Sequence, residues 1–158
     1  MPQAASYRDH LNGAEDLVTT YEQRRAGFVA MALERGRRAV PHIAEARALK
    51  VVAENLARPG DLLQLQRIRD ALVVAAGVSE KASGHFDDGD KAEAVSRLVR
   101  EFLEPAGQKW VEELVYRFLL TRGDSLGGEL RNLAGVLAQK KLAGALIAAL
   151  TLTHVGYR

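Results

Sequence analysis

Helical periodicity constrains this chain more than any other feature. From Leu17 to Leu150, apolar residues recur three and four positions apart, the spacing that places them on one face of an α-helix. Leu17, Tyr21, Phe28 and Ala32 begin the pattern, with Val18, Val29 and Leu33 beside them. Ile43, Ala46, Leu49, Val52 or Ala53, and Leu56 continue it. Leu62, Leu65, Ile68, Leu72 and Ala75 or Ala76 form a third face. Ala94, Val95, Leu98, Val99 and Phe102 are expected to point inward from a fourth, and Trp110, Val111, Leu114, Val115, Phe118 and Leu119 carry a fifth. The last run places Leu130, Leu133, Leu137, Lys141 and Gly144 near one face, extended by Val136, Leu146, Ile147 and Leu150. Only four Pro interrupt a chain that is 47% hydrophobic. These faces predict an all-α fold, a bundle of about six amphipathic helices joined by short turns.

Glycine and proline mark the expected ends. Arg35-Gly36-Arg37-Arg38 should close the first helix, because Gly suits a C-terminal cap and cations suit the negative end of the dipole. Pro41 then suits the first turn of a second helix. Arg58-Pro59-Gly60-Asp61 is a turn whose Asp61 can cap the next helix. Gly77 closes the third helix, and Ser79 caps a single turn that Gly84 ends. Asp87-Asp88-Gly89-Asp90 opens the next helix, which Pro105 and Gly107 break. The most heavily punctuated stretch is Tyr116–Asn132. There Arg122-Gly123-Asp124-Ser125-Leu126-Gly127-Gly128 reads as a hinge between helices, with Asp124 and Ser125 bonding free helix ends. Thr151–Tyr157 is β-branched and alternating, which reads as the start of a β segment. The chain thus divides into a flexible N-terminal arm (1–12), a helical domain (13–150) and the start of something strand-rich (151–158).

Several classes of chemistry find no support. With no Cys, there is no disulfide, thiolate zinc site or cysteine nucleophile, which suits a reducing cytoplasm. The N-terminus lacks the apolar core of a signal peptide. The run Leu142–Leu152 is shorter than the ~20 residues that span a bilayer, so no membrane is expected. His10, His42, His85 and His154 lack metal-ligand spacing. Gly123–Gly128 suggests a phosphate cradle, but without the Lys-Ser/Thr of a P-loop or a strand before it. Asp87-Asp88-Gly89-Asp90 lacks EF-hand spacing, so capping is its expected role. Metal-dependent nucleases often place an acid two residues before a catalytic Lys on a strand. Here Lys50, Lys81, Lys91, Lys109, Lys140 and Lys141 follow Ala48, Ser79, Gly89, Gly107, Ala138 and Gln139 at that position. A net charge of +2 does not by itself mark a nucleic-acid binder. Arg24, Arg25, Arg35, Arg37 and Arg38 crowd one region, but Glu22, Glu34 and Glu45 interleave with them, as on a solvated, salt-bridged face.

Taken whole, the sequence resembles the N-terminal half of the AvaI/BsoBI-type restriction endonucleases, type II enzymes that recognise CYCGRG. The matching stretches are DLVTTYEQRRAGFVAMALERGRR, EARALKVVAENLARPGDLL, the VSEKA turn, REFLEPAGQKWVEELVYRFLL and RGDSLGGELRNLAGVLAQKK. They run in the family's order, and RGDSLGG followed by RN and AGVLAQKK is the most specific. The resemblance implies a helical domain joined to an α/β nuclease domain, of which 151–158 would be the start. It implies homodimers that enclose double-stranded DNA and use Mg²⁺ to hydrolyse a phosphodiester. It places the catalytic residues and metal ligands in the second half of a family member, so none is expected in this chain. Lys81 carries over by position as a DNA-base contact, an ammonium suited to guanine O6 and N7. Arg122, Arg131 and Asn132 are further candidate DNA contacts, architectural first. The family more often has a small residue and Met where this chain has Glu129-Leu130. A carboxylate there repels phosphate but suits the expected helix N-terminus. The alternative is a truncated, non-catalytic helical module that binds DNA or dimerises.

Overall fold

The structure, a computed structural model, describes residues 18–152. Helix α1 spans Tyr21–Glu54, α2 Arg69–Ala75, α3 Glu80–Ser83, α4 Asp88–Leu98 and α5 Trp110–Leu152. Short 3₁₀ turns cover Pro59–Gln64, Gln66–Ile68 and Gly107–Lys109, and a π-helical turn, Val99–Leu103, continues α4. Among the described residues there is no strand, as an all-α fold requires.

Two of the expected breaks are absent. Helix α1 runs straight through Gly36 and Pro41. An interior Pro removes one backbone hydrogen bond, but its fixed φ near −65° is itself helical. The Ala-, Leu- and Arg-rich segments on both sides carry the helix across. Helix α5 likewise runs through Arg122–Gly128. Ser125 Oγ donates to the Thr121 carbonyl at 3.1 Å, and Thr121 Oγ1 to that of Arg117 at 3.2 Å. These hydroxyls bond back along a continuous helix rather than to a free end. Glu129 consequently lies inside a helix and not at an N-terminus. Thr151 and Leu152 are helical too. The remainder of the expected strand, the expected arm of 1–12 and Leu17 lie outside the described residues.

The other punctuation is where the sequence puts it. Gly77 has φ 94° and Gly107 φ 56°, left-handed conformations that favour glycine. The Ser79 hydroxyl accepts from Ala82 N at 3.2 Å. Asp87 accepts from Asp90 N at 2.8 Å while Asp90 accepts from Asp87 N at 3.1 Å, a reciprocal capping box. Asp61 accepts from Arg58 N at 3.2 Å and so closes the Pro59 turn backwards onto the residue before it.

The chain forms two compact units. One is Arg35–Gly128, whose core gathers Ala46, Leu49 and Ala53 of α1, Leu62, Leu72–Ala75, and Val95 and Leu98 of α4. Val99 and Leu103 of the π turn and Trp110, Leu114 and Phe118 of α5 complete it. The π turn corrects one expected core residue. Phe102 is 40% exposed while Leu103 is fully buried, because the wider turn (Glu104 N to Val99 O, 2.9 Å) advances the inward face by one residue. Arg117 covers the exposed Phe102 ring, its guanidinium carbon 3.7 Å from the centroid. Ile43, expected inward, is exposed.

The other unit takes the chain up to Glu34 and from Glu129 onward. Its apolar residues are largely uncovered. Tyr21, Phe28, Val29 and Leu33 on α1 are exposed, as are Val136, Leu137, Leu142 and Leu146 on α5. The first of these stripes was expected to pack inward. Continuity of α5 also lengthens its apolar stretch. Gly107–Leu150, with a window of mean hydropathy 1.5, is long and apolar enough to cross a membrane by length and composition, which is weak evidence for one.

Candidate nucleic-acid interface

Lys81 sits in the four-residue helix α3, between the Ser79 cap and the turn at Gly84. Its side chain is exposed. Around helix α3, Ser83 N reaches the Ser79 carbonyl at 2.8 Å, His85 N that of Ala82 at 3.0 Å and Phe86 N that of Ser83 at 3.2 Å. A tie to an element distant in sequence is made by Glu80, next to Lys81. Its carboxylate accepts a charge-assisted hydrogen bond from Arg122 Nη1.

Arg122 belongs to a row along α5 in which every fourth residue is shielded from solvent: Leu114, Phe118, Arg122, Leu126 and Leu130. It is the single charged member, and its side chain is only 13% exposed. A cation in such a position needs partners. Besides Glu80, Nη2 donates to Glu45 Oε2 at 3.1 Å and Oε1 at 3.3 Å. The guanidinium carbon lies 5.5 Å from the centroid of the fully buried Phe118 ring. Nε is buried and makes no hydrogen bond among the described residues. Burial works against the charge on Arg122, yet its hydrogen bond to Glu80, the charge of Glu45 and their remaining attractions outweigh it and raise its pKa above the ordinary value. The hydrogen bond with Arg122, followed by its charge, holds the Glu80 carboxyl below the usual carboxylate range.

The site residues expected from the sequence therefore separate. Lys81 and Arg122 fall in the Arg35–Gly128 unit and are linked through Glu80. Arg131 and Asn132 fall in the other unit, both exposed on α5. Sequence reasoning missed Glu45 and Glu80. The signal was present in the constant four-residue spacing of Leu114, Phe118, Arg122, Leu126 and Leu130, which puts an Arg in an apolar row and so demands carboxylates from elsewhere. Among the described residues no three His, Asp or Glu gather to hold a metal ion. Asp87 and Asp90 spend their carboxylates on each other's backbone.

Comparison with known proteins places this geometry. The family model described as Restriction endonuclease BsobI matches residues 7–158. Type II restriction enzyme AvaI from Nostoc sp. and that from Anabaena variabilis are each 54% identical over 152 residues, covering 96% of this chain and 48% of the relative. Type II restriction enzyme BsoBI from Geobacillus stearothermophilus is 49% identical over 152 residues, covering 96% of this chain and 47% of the relative. The chain thus spans about half the length of the curated relatives it matches. A match that takes in α1 through α5, the Lys81 turn and the Arg122 row together shows that the chain belongs to the BsobI restriction endonuclease family.

Proposed function

We propose that this chain is the helical, DNA-embracing part of a type II site-specific restriction endonuclease that hydrolyses phosphodiester bonds in duplex CYCGRG DNA. The observation that carries the reading is the family match over nearly the whole chain, at 54% identity to a restriction enzyme twice its length. In this reading Lys81 supplies an ammonium to base edges in the major groove, with guanine O6 and N7 as its natural acceptors. Its exposure on a short, capped helix supports that role. Arg131 and Asn132, exposed on α5, contact the sugar-phosphate backbone, which positions the duplex without reading it.

The enzyme acts with Mg²⁺ and as a homodimer. The described residues offer the ion no set of ligands; in this reading its ligands and the hydrolytic step belong to an α/β nuclease domain in the half of the relatives' length that this chain does not match. The exposed apolar residues of α1 and α5 suit burial against protein, since such residues often mark protein–protein contact sites when they cluster. That favours a protein cover over a membrane, and a cytoplasmic enzyme.

A direct test is binding of the 158-residue chain to a CYCGRG duplex and to a scrambled duplex of equal length, with and without Mg²⁺. The expected result is preference for the CYCGRG duplex with no cleavage in either condition. Equal affinity for the two duplexes would overturn the sequence-reading role. Cleavage by the pure chain would overturn the assignment of catalysis to another domain.

A further inference from the structure

We infer that Arg122 is a positioning residue, whose guanidinium draws Glu80 of α3 and Glu45 of α1 together and so sets the direction in which the α3 turn presents Lys81. The inference rests on the base-reading role of Lys81 and names what orients it.

Three observations carry it. First, the fixed end of the clamp is rigid. Glu45 adjoins the buried Ala46 in α1, and Arg122 packs beside the buried Phe118 ring in α5. One guanidinium nitrogen, Nη2, reaches both Glu45 oxygens while Nη1 reaches Glu80, so the two carboxylates hold different corners of the same planar group. Second, the held end is weak by itself. Helix α3 has four residues and one side-chain cap, far too short to be stable in isolation. The Glu80–Arg122 bond joins positions 42 apart in sequence and so ties this turn to the core. Third, the geometry of a helix passes the constraint to the next residue. Successive side chains are about 100° apart around the axis. Once Glu80 is turned to Arg122, Lys81 has one direction left to it, and it is exposed there. The two carboxylates more than offset the charge of Arg122, so the positive charge that this cluster offers to DNA is that of the exposed Lys81.

Charge and position make opposite predictions for Glu80→Gln. Removing a carboxylate beside a DNA-binding lysine should strengthen binding to every duplex if only electrostatics act. Loss of the clamp should instead weaken preference for the CYCGRG duplex over a scrambled one. The experiment measures both affinities for wild type, Glu80→Gln, Arg122→Lys, Lys81→Ala and the Glu80→Gln/Lys81→Ala double variant, together with amide hydrogen exchange at residues 82–85. Glu80 is 75% exposed, so Glu80→Gln keeps the fold even if Arg122→Lys does not.

The expected result is a loss of preference of roughly tenfold for Lys81→Ala, the scale of one base contact. Glu80→Gln should lose roughly three- to tenfold, and the double variant no more than Lys81→Ala alone. Exchange at 82–85 should quicken in Glu80→Gln while the melting temperature falls by no more than roughly 2–4 °C. Arg122→Lys should fail to restore preference, because an ammonium does not bridge two carboxylates in a fixed plane. Unchanged exchange at 82–85, or equal strengthening on both duplexes, would overturn the clamp. Faster exchange with full preference retained by Lys81→Ala would overturn the base-reading role and leave the clamp standing.

Discussion

Replacing Gly123 by Ala tests whether the glycine-rich stretch of α5 is a hinge or a helix. In the structure Gly123 is exposed, keeps a negative φ, and a Cβ built on it meets nothing within 4 Å. Ala at such a site adds no clash and removes the entropy that Gly loses on becoming helical. The gain is about 0.8–1 kcal/mol. For a protein of this length 1 kcal/mol moves the melting temperature by roughly 2–4 °C. Thermal unfolding followed by circular dichroism at 222 nm should therefore show an upward shift of that size, with helix content unchanged or slightly higher. Gly77→Ala is the control of opposite sign. At φ 94° an L-residue is strained, and stability should fall by roughly 1–2 kcal/mol. If Gly123→Ala destabilises as Gly77→Ala does, the stretch is a shaped loop and the continuous α5 is wrong.

Phe118→Ala empties the centre of the Arg35–Gly128 core and removes the ring beside Arg122; it should cost about 3–5 kcal/mol in urea unfolding, and a loss under 1 kcal/mol would refute its central place. Asp87→Ala removes the acceptor of a 2.8 Å capping bond at the start of α4 and should cost about 1 kcal/mol by the same measure. The pH dependence follows from Glu80. Arg122 lowers its folded pKa, so its contribution to stability is present above the unfolded value of about 4.3 and is lost as the pH falls through the lower folded value. Because Glu80 is largely exposed, the contribution is under ~1 kcal/mol. Denaturant unfolding of wild type and Glu80→Gln should differ at pH 7 and converge well below pH 4; a gap that persists in acid would remove the ion pair as its cause.

The all-α class, the caps at Ser79 and Asp87, and the turns at Gly77 and Gly107 were legible because each rests on a local rule. Helical spacing, an Asx or Ser acceptor and a positive φ need no tertiary information. The errors arose where local rules compete. Gly36 and Pro41 look like a helix end and start, yet the good helix formers around them outweigh the lost bond. Gly123–Gly128 look like a hinge, yet no glycine there has a positive φ, and Leu126 is shielded on the same helical row as Leu114 and Phe118. Phe102 and Leu103 exchanged roles through a single π turn, which adds one residue between buried positions and leaves no mark in composition. At the candidate site Lys81 enters by resemblance to the family, and the structure adds that it is exposed on α3 beside Glu80. Its supports, Glu45 and Glu80, come from elements far apart in sequence and became visible only once α1, α3 and α5 were placed in one unit.

The central claim, that this helical chain reads DNA through the α3 turn, is tested most directly by competition binding. Wild type and Lys81→Ala are titrated with a labelled CYCGRG duplex against unlabelled CYCGRG and scrambled competitors at one fixed salt concentration. A base-reading lysine predicts that Lys81→Ala loses affinity for the CYCGRG duplex by roughly tenfold and keeps its affinity for the scrambled one. An equal loss on both duplexes would make Lys81 a phosphate contact, and no loss on either would remove it from the interface; each result contradicts the claim.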